Sequence, residues 1–422
     1  MNKKLIKKMD GLSRRQFAEY AAKSLLGVGL FPMFGNLPQA RAATGGGKAT
    51  RCIYLYMSGG MTHLDTFDPK AGDVQGPSEV INSNVGGIRI GGHLTRTAKV
   101  MDKIAVINSM RSTTGAHGPG NYLMHTAYSE RGTIRHPALG AWVLHFQGKK
   151  NEILPGNVTI GGGYGSSGFL PSAMGALPIG NPNQGLPYGK RPFSEKEFYE
   201  RLTLADAYDR PFRGAHKHRD IKGYTNLYSD AIKLMNSSET EVFDIDKENP
   251  ALREKYGMNG FGQGCLLARR LVENDVRFVE VNYGGWDTHT ENFDAMEGKL
   301  PVLDMGLSAL ISDLHSRGLL DSTLVVLATE FGRTPRINNN NGRDHHPAAF
   351  SCLLAGGGVQ GGQVYGRTDN EGKRVEENEV RIPDFHATIG HALGLPLDKV
   401  VHSPSGRPFT VADKGKPVTA LF

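Results

Sequence analysis

Cysteine is scarce: the 422 residues hold three, Cys52, Cys265 and Cys352. An odd count with no Cys-x-x-Cys pair argues against a disulfide framework and a thiolate zinc knuckle. Cys52 and Cys352 stand inside apolar runs and read as inert core thiols. Beyond the first forty-odd residues no apolar run is long enough to cross a bilayer, which excludes a polytopic membrane protein and a transmembrane segment in the mature chain. A sustained excess of one charge is lacking too. Lys and Arg number 49 against 42 Asp and Glu, but eight of the cations and two of the carboxylates fall in residues 1–42, so the remainder carries a surplus of one. A nucleic-acid partner, which needs many clustered cations, is not expected. With 22% charged and 8% aromatic residues the composition is that of a globular chain, and wholesale disorder is excluded. Glycine is what the sequence has in excess, 55 residues, roughly twice the usual share of about 7%.

Residues 1–42 run from a basic start through Ser13-Arg14-Arg15-Gln16-Phe17 and a mildly apolar stretch to Ala40-Arg41-Ala42. That order is the architecture of a secretory signal, and the paired arginines resemble a twin-arginine address. The expected destination is the periplasm or the extracellular space, through the twin-arginine export machinery.

From residue 43 onward a single domain is expected, with a loop-rich insertion at about 155–245 where Gly161–Gly163, Pro178, Pro182 and Pro187 break any periodicity. Apolar runs at 51–57, 104–107, 276–282, 323–329 and 349–355 read as strands. Stretches at 134–146, 260–274, 300–318 and 384–393 read as helices. Alternation of strand and helix, with strands apolar on both faces, predicts an α/β three-layer sandwich with a mostly parallel central sheet.

In such a sheet ligands gather beyond the carboxyl ends of the strands. The first strand runs into Ser58-Gly59-Gly60-Met61-Thr62-His63-Leu64-Asp65, and the run at 276–282 into Tyr283-Gly284-Gly285-Trp286-Asp287-Thr288-His289. The run at 323–329 is followed by Glu330-Phe331-Gly332-Arg333 and later by Arg343-Asp344-His345-His346. Three strand ends thus offer carboxylates and imidazoles to one rim, the donor types that divalent transition metals favour. Asp287, His289, Glu330, Asp344, His345 and His346 are the candidate ligands. His63 reads either as a further ligand or general base or as part of a turn capped by Asp65. Arg333 reads either as a clamp on a developing anion or as the partner of Glu330 or Asp344. Trp286 reads as a packing residue.

Together, residues 54–69, 284–289, 329–334 and 342–347 resemble the hallmark blocks of the domain-of-unknown-function family 1501, a likeness that spans residues 50–405. That family is related to the alkaline phosphatase and sulfatase superfamily, so the resemblance implies an alkaline phosphatase-like sandwich. It also implies hydrolysis of phosphate or sulfate esters at a site with one or two metal ions. Position by position, Asp287 and His289 are similar to one metal pair of that superfamily, and His345 or His346 to its late metal histidine. Glu330-Phe331-Gly332 stands where the superfamily has Asp-His-Gly, and Ser58 where it usually has a metal-binding Asp. The stretch His117-Gly118-Pro119-Gly120-Asn121 lies along the nucleophile block, with His117 at the nucleophile position and Asn121 in place of an Arg. His117 is therefore expected to act as nucleophile or as acid and base, or else water activated by the cation attacks directly. The resulting expectation is an exported hydrolase that uses zinc, manganese or calcium on an anionic ester, with sulfated or phosphorylated polymers among its substrates. The rival expectation is a catalytically degenerate envelope protein that binds a partner or polymer through residues 155–245.

Overall fold

The computed structural model describes residues 47–187, 189, 194–215 and 228–422. The twin-arginine segment expected in residues 1–42 lies outside them.

Nine strands form one sheet: β1 (Arg51–Tyr56), β2 (Ile104–Arg111), β3 (Asn157–Ile160), β4 (Leu177–Ile179), β5 (Phe278–Asn282), β6 (Thr323–Ala328), β7 (Phe350–Ala355), β8 (Gln363–Tyr365) and β9 (Val380–Arg381). Their order is β8-β2-β7-β6-β1-β5-β3-β4, with β9 also on β2. Every pairing is parallel except the two made by β7, which runs against β2 and β6.

Both faces of the sheet are covered, which is why its central strands are apolar throughout. On β1 the side chains alternate: Ile53, Leu55 and Met57 enter one core layer, and Cys52, Tyr54 and Tyr56 the other. The first layer is closed by α5 (Gly260–Glu273) and α6 (Asn292–Ser316). The second is closed by α1 (His117–Thr126), α2 (Leu139–Gln147) and α7 (Ile382–Ala392). Two further helices are α3 (Glu195–Ala215) and α4 (Pro250–Tyr256). The three-layer sandwich with a mostly parallel sheet is thus the observed architecture. All three cysteines are free and buried, and Trp286 packs in the first layer. Among the described residues no helix is long and apolar enough to cross a membrane.

Some elements differ from expectation. The segment expected to be a loop-rich insertion supplies two strands of the main sheet, β3 and β4, because short apolar runs such as Val158–Ile160 fit between glycine turns. The helix expected at 300–318 begins at Asn292, one face of its first turns being buried through Phe293 and Met296, and continues through Pro301. The helix α1 escapes the sequence pattern since Gly118, Pro119 and Gly120 fill its first turn.

Neutral histidines are sealed in the structure, His136 among them. His63 and His386 each place Nε2 at a backbone oxygen, 2.8 Å from Gly372 O and 2.7 Å from Met124 O, and burial pushes both imidazoles down to about 4. Unfolded, both return to about 6.5, so between those values the unfolded chain binds more protons than the folded one. The stability these neutral rings confer is present above about pH 6.5 and is lost as pH falls toward 4, by about 1.4 kcal/mol per pH unit for each ring. Urea midpoints should therefore drop between neutral and mildly acidic buffer, and His386→Gln should flatten that dependence.

Candidate metal centre

Register places the site. Tyr56, the last residue of β1, lies opposite Asn282 of β5 and Ala328 of β6, so three parallel strands end at one level. The chain leaves β5 toward Asp287 and His289, and leaves β6 toward Glu330 and Arg333. The reversed strand β7 has its amino end on this same rim, so the residues before it, Asp344–His346, arrive there as well. His345 and His346 form a two-stranded ribbon with Gly332 and Arg333. From β2 the chain passes Gly115 and enters α1 at His117. At the turn after β1, Gly59 has a left-handed φ of 120°, and a Cβ there would lie 2.7 Å from Asp287 N, so only glycine lets the two loops touch.

Four side chains converge. His345 places Nδ1 2.6 Å from Gly115 O, and His289 places Nδ1 2.7 Å from Asp344 Oδ1. A carbonyl and a carboxylate can only accept, so each Nδ1 carries a proton, and each ring in its neutral form presents a lone pair at Nε2. Those two Nε2 atoms face each other at 2.9 Å, and Asp287 Oδ1 lies 3.1 Å from one and 3.2 Å from the other. Two lone pairs and a carboxylate oxygen this close repel unless an electrophile lies among them, either a proton on one ring or a shared cation. Two nitrogens bound at about 2.0–2.1 Å to one tetrahedral ion stand about 3.3 Å apart, so a small outward shift of the rings from 2.9 Å would admit one. His117 adds a fourth donor: its Nε2 is 3.2 Å from Asp287 Oδ2 and has no hydrogen-bonding partner. Single donor atoms of His117, Asp287 and His345 all lie within 4.8 Å of one another. Asp287 and His289 each keep 44% of their side-chain surface exposed, so the cluster is open to a ligand.

Electrostatics hold the carboxylates at the cluster in their ionised form. Partial burial acts to raise the Asp287 carboxyl, but the hydrogen bond from Arg333 and the Arg333 charge outweigh it and hold it down at about 2. The hydrogen bond to Glu330 lifts His117 above the usual imidazole range. That to His289 lowers Asp344.

The other expected site residues are placed differently. Glu330 is fully buried and is not among the converging donors: Oε1 takes His117 Nδ1 at 2.8 Å and the Gly59 amide at 2.9 Å, and Oε2 takes the Tyr56 hydroxyl at 3.0 Å. It orients His117 instead of ligating. Arg333 is also sealed. It donates to Asp287 Oδ1 at 2.6 Å, Gly60 O at 2.9 Å, Arg343 O at 3.1 Å and Gly59 O, so it grips the loops and has no face for a substrate anion. Asp344 orients His289 from behind. His346 points to the other side of the ribbon, as its neighbour His345 requires, and bonds Lys373 O at 2.8 Å. There it lies beside the buried His63, with ring centroids 6.3 Å apart, away from the cluster. Of the alternatives His345 and His346, the first joins the site. The Tyr56 hydroxyl on Glu330 and the Gly115 carbonyl on His345 are contacts that the motifs did not signal; only the place of Tyr56 at the end of β1 points to it.

The family model described as "Protein of unknown function (DUF1501)" matches residues 49–422. The chain belongs to this family. No curated protein matches the DUF1501 chain by sequence. Among solved structures it is similar to Ps i-CgsB, with 12% identity over 82% of this chain and 72% of that one and a TM-score of 0.41. It is similar to the lipoteichoic acid synthase LtaP from Listeria monocytogenes, with 9% identity over 90% and 79% and a TM-score of 0.37. It is also similar to the PsFucS1 sulfatase from Pseudoalteromonas sp., with 15% identity over 90% and 74% and a TM-score of 0.36. These are likenesses of broad architecture alone.

Proposed function

We propose that the protein is an exported, metal-dependent hydrolase of phosphate or sulfate esters. The observation that carries this reading is the pair of imidazole Nε2 atoms facing each other at 2.9 Å beside Asp287 Oδ1. Asp287, His289 and His345 would hold the ion, with His117 as fourth ligand or as the proton-transfer group beside it. A nitrogen-rich set of this kind suits zinc better than calcium, which takes oxygen donors. When bound, the ion supplies a Lewis acid for the ester's anionic oxygen. The chain's own part is positional. Glu330 fixes the Nδ1 proton of His117 and leaves Nε2 free to take a proton at the rim. The first turn of α1, which has no side-chain cap, brings the positive end of a helix to the same place. The ester class is supported by the resemblance of the four sequence blocks to the alkaline phosphatase and sulfatase superfamily, and export by the twin-arginine segment.

The test is elemental analysis of the purified protein with assays on aryl phosphate and aryl sulfate. We expect about one zinc-class ion per chain, and loss of hydrolysis on chelation with recovery on adding zinc back. Protein that takes up no metal and turns over neither ester would refute the reading and favour a binding scaffold.

A further inference from the structure

Away from the metal centre, two stretches far apart in sequence are fastened together beyond the other end of α1. Arg407 donates to Thr133 Oγ1 at 3.0 Å. The Tyr128 hydroxyl donates to Thr410 O at 2.7 Å and accepts from Thr410 N at 3.0 Å. Tyr128 stacks on His136 with centroids 4.4 Å apart, and Phe409 meets both rings edge-on at 5.5 and 5.0 Å. The result is a fixed surface whose charges are not matched. Residues 128–136 and 404–416 carry Arg131, Arg135, Arg407, Lys414 and Lys416 against Glu130 and Asp413, five cations to two carboxylates. All five cations are exposed, and among the described residues none is in an ion pair within 4.0 Å. Arg131 of the first stretch lies near enough to the Asp413 carboxyl of the second to act on it, as does the adjacent Lys414. From residue 43 onward the chain's whole surplus is one, so these two short stretches hold more positive charge than the rest of that region, which is net negative.

From this concentration of unpaired cations on a rigid base we infer that residues 128–136 and 404–416 form an accessory docking surface for a sulfated or phosphorylated polymer. Clustered cations bind a linear polyanion by releasing its counterions, with no need for a shaped pocket. Tyr128 and His136 are buried beneath the surface, so no stacking platform is offered to the bases of a single-stranded nucleic acid. The surface is joined to the metal centre through α1, whose first residue is His117 and whose Tyr122 bonds His136 Nδ1 at 2.7 Å. Ten helical residues span about 15 Å, within reach of one extended polymer held at both places. In that geometry the inference deepens the hydrolase reading, but polymer binding itself does not require turnover.

Binding of the full protein to dextran sulfate and to inorganic polyphosphate tests it, the two arms separating a sulfated from a phosphorylated source. We expect at least one polymer to bind and uncharged dextran not to. The triple variant Arg131→Gln, Arg135→Gln, Arg407→Gln should bind at least about tenfold more weakly at about 50 mM salt, with a log–log salt slope shallower by about two. A control triple, Lys103→Gln, Lys233→Gln, Arg367→Gln, removes cations already paired with carboxylates and should leave affinity unchanged. The proposal is overturned if the unmodified protein binds neither polymer, if the two triples behave alike, or if only vesicles of phosphatidylserine bind. Patch-dependent polymer binding by a metal-free, inactive protein would sink the hydrolase reading alone. Zinc-dependent ester hydrolysis without such binding would sink this inference alone.

Discussion

Replacing His345 with alanine is expected to leave a folded protein that binds zinc more than about 100-fold more weakly, beyond the loss that removal of an outer-shell partner causes. The ring is one quarter exposed and rests on the rim, so its removal opens no core cavity. What it removes is one of two nitrogens that face each other across Asp287. Asp344→Ala should have a smaller effect, about 10–100-fold, because His289 stays but loses the acceptor that fixes its Nδ1 proton. The decisive control is His346→Ala. His346 neighbours His345 in sequence but bonds Lys373 O on the far side of the ribbon, so metal affinity should not change. Competition titration of zinc against a chromophoric chelator reads all three variants. Equal losses for His345→Ala and His346→Ala, or no loss for either, would show that the imidazoles at the rim do not hold the ion.

That contrast marks what a sequence yields and what it does not. The strands that end at the rim were legible because two-sided apolar runs followed by Gly and polar residues have one cheap placement, buried with their carboxyl ends at the surface. Asp287 and His289 followed from that placement. The choice between His345 and His346 did not, since it depends on the register of a two-residue ribbon with Gly332 and Arg333 that no periodicity encodes. By sequence Glu330 reads as a ligand, and Arg333 as a clamp or an ion-pair partner, because ligands gather beyond the carboxyl ends of strands. Here the loops close over them, and their charge is spent on backbone groups and on orienting His117 and Asp287. The same closure hides the role of Gly115, whose contribution is a carbonyl and therefore has no side-chain signature at all.

The second large effect is expected at a residue that touches no ligand. Arg343 and Asp65 are both buried, with Nε–Oδ2 at 3.1 Å and Nη2–Oδ1 at 3.3 Å. Arg343 also donates to Val74 O at 2.7 Å, Pro335 O at 2.6 Å and Thr334 O at 3.1 Å, so one guanidinium satisfies three loops. Asp65 in turn accepts from Thr62, Ser78 and Asn292. Breaking such a pair from one side leaves a buried carboxylate without its counter-charge and several carbonyls without donors, a loss of about 3–5 kcal/mol. Arg343→Met should therefore lower unfolding free energy by about that amount, and adding Asp65→Asn should recover part of it, since the stranded charge is then gone. The site should respond as well. The Arg343 amide donates to Thr288 O at 3.0 Å and its carbonyl accepts from Arg333 at 3.1 Å, so this residue fastens the loop of His289 to that of His345. Gly342, just before it, already passes so close that a Cβ would lie 2.0 Å from His289 O. A matched comparison is Arg269→Met, which removes an equally buried arginine from Glu248, Glu273 and Asp313, none of them in contact with the cluster. Both variants should lose stability in denaturant titrations, yet only Arg343→Met should also weaken zinc binding. If Arg269→Met weakens it equally, metal affinity tracks global stability and the coupling assigned to Arg343 is absent.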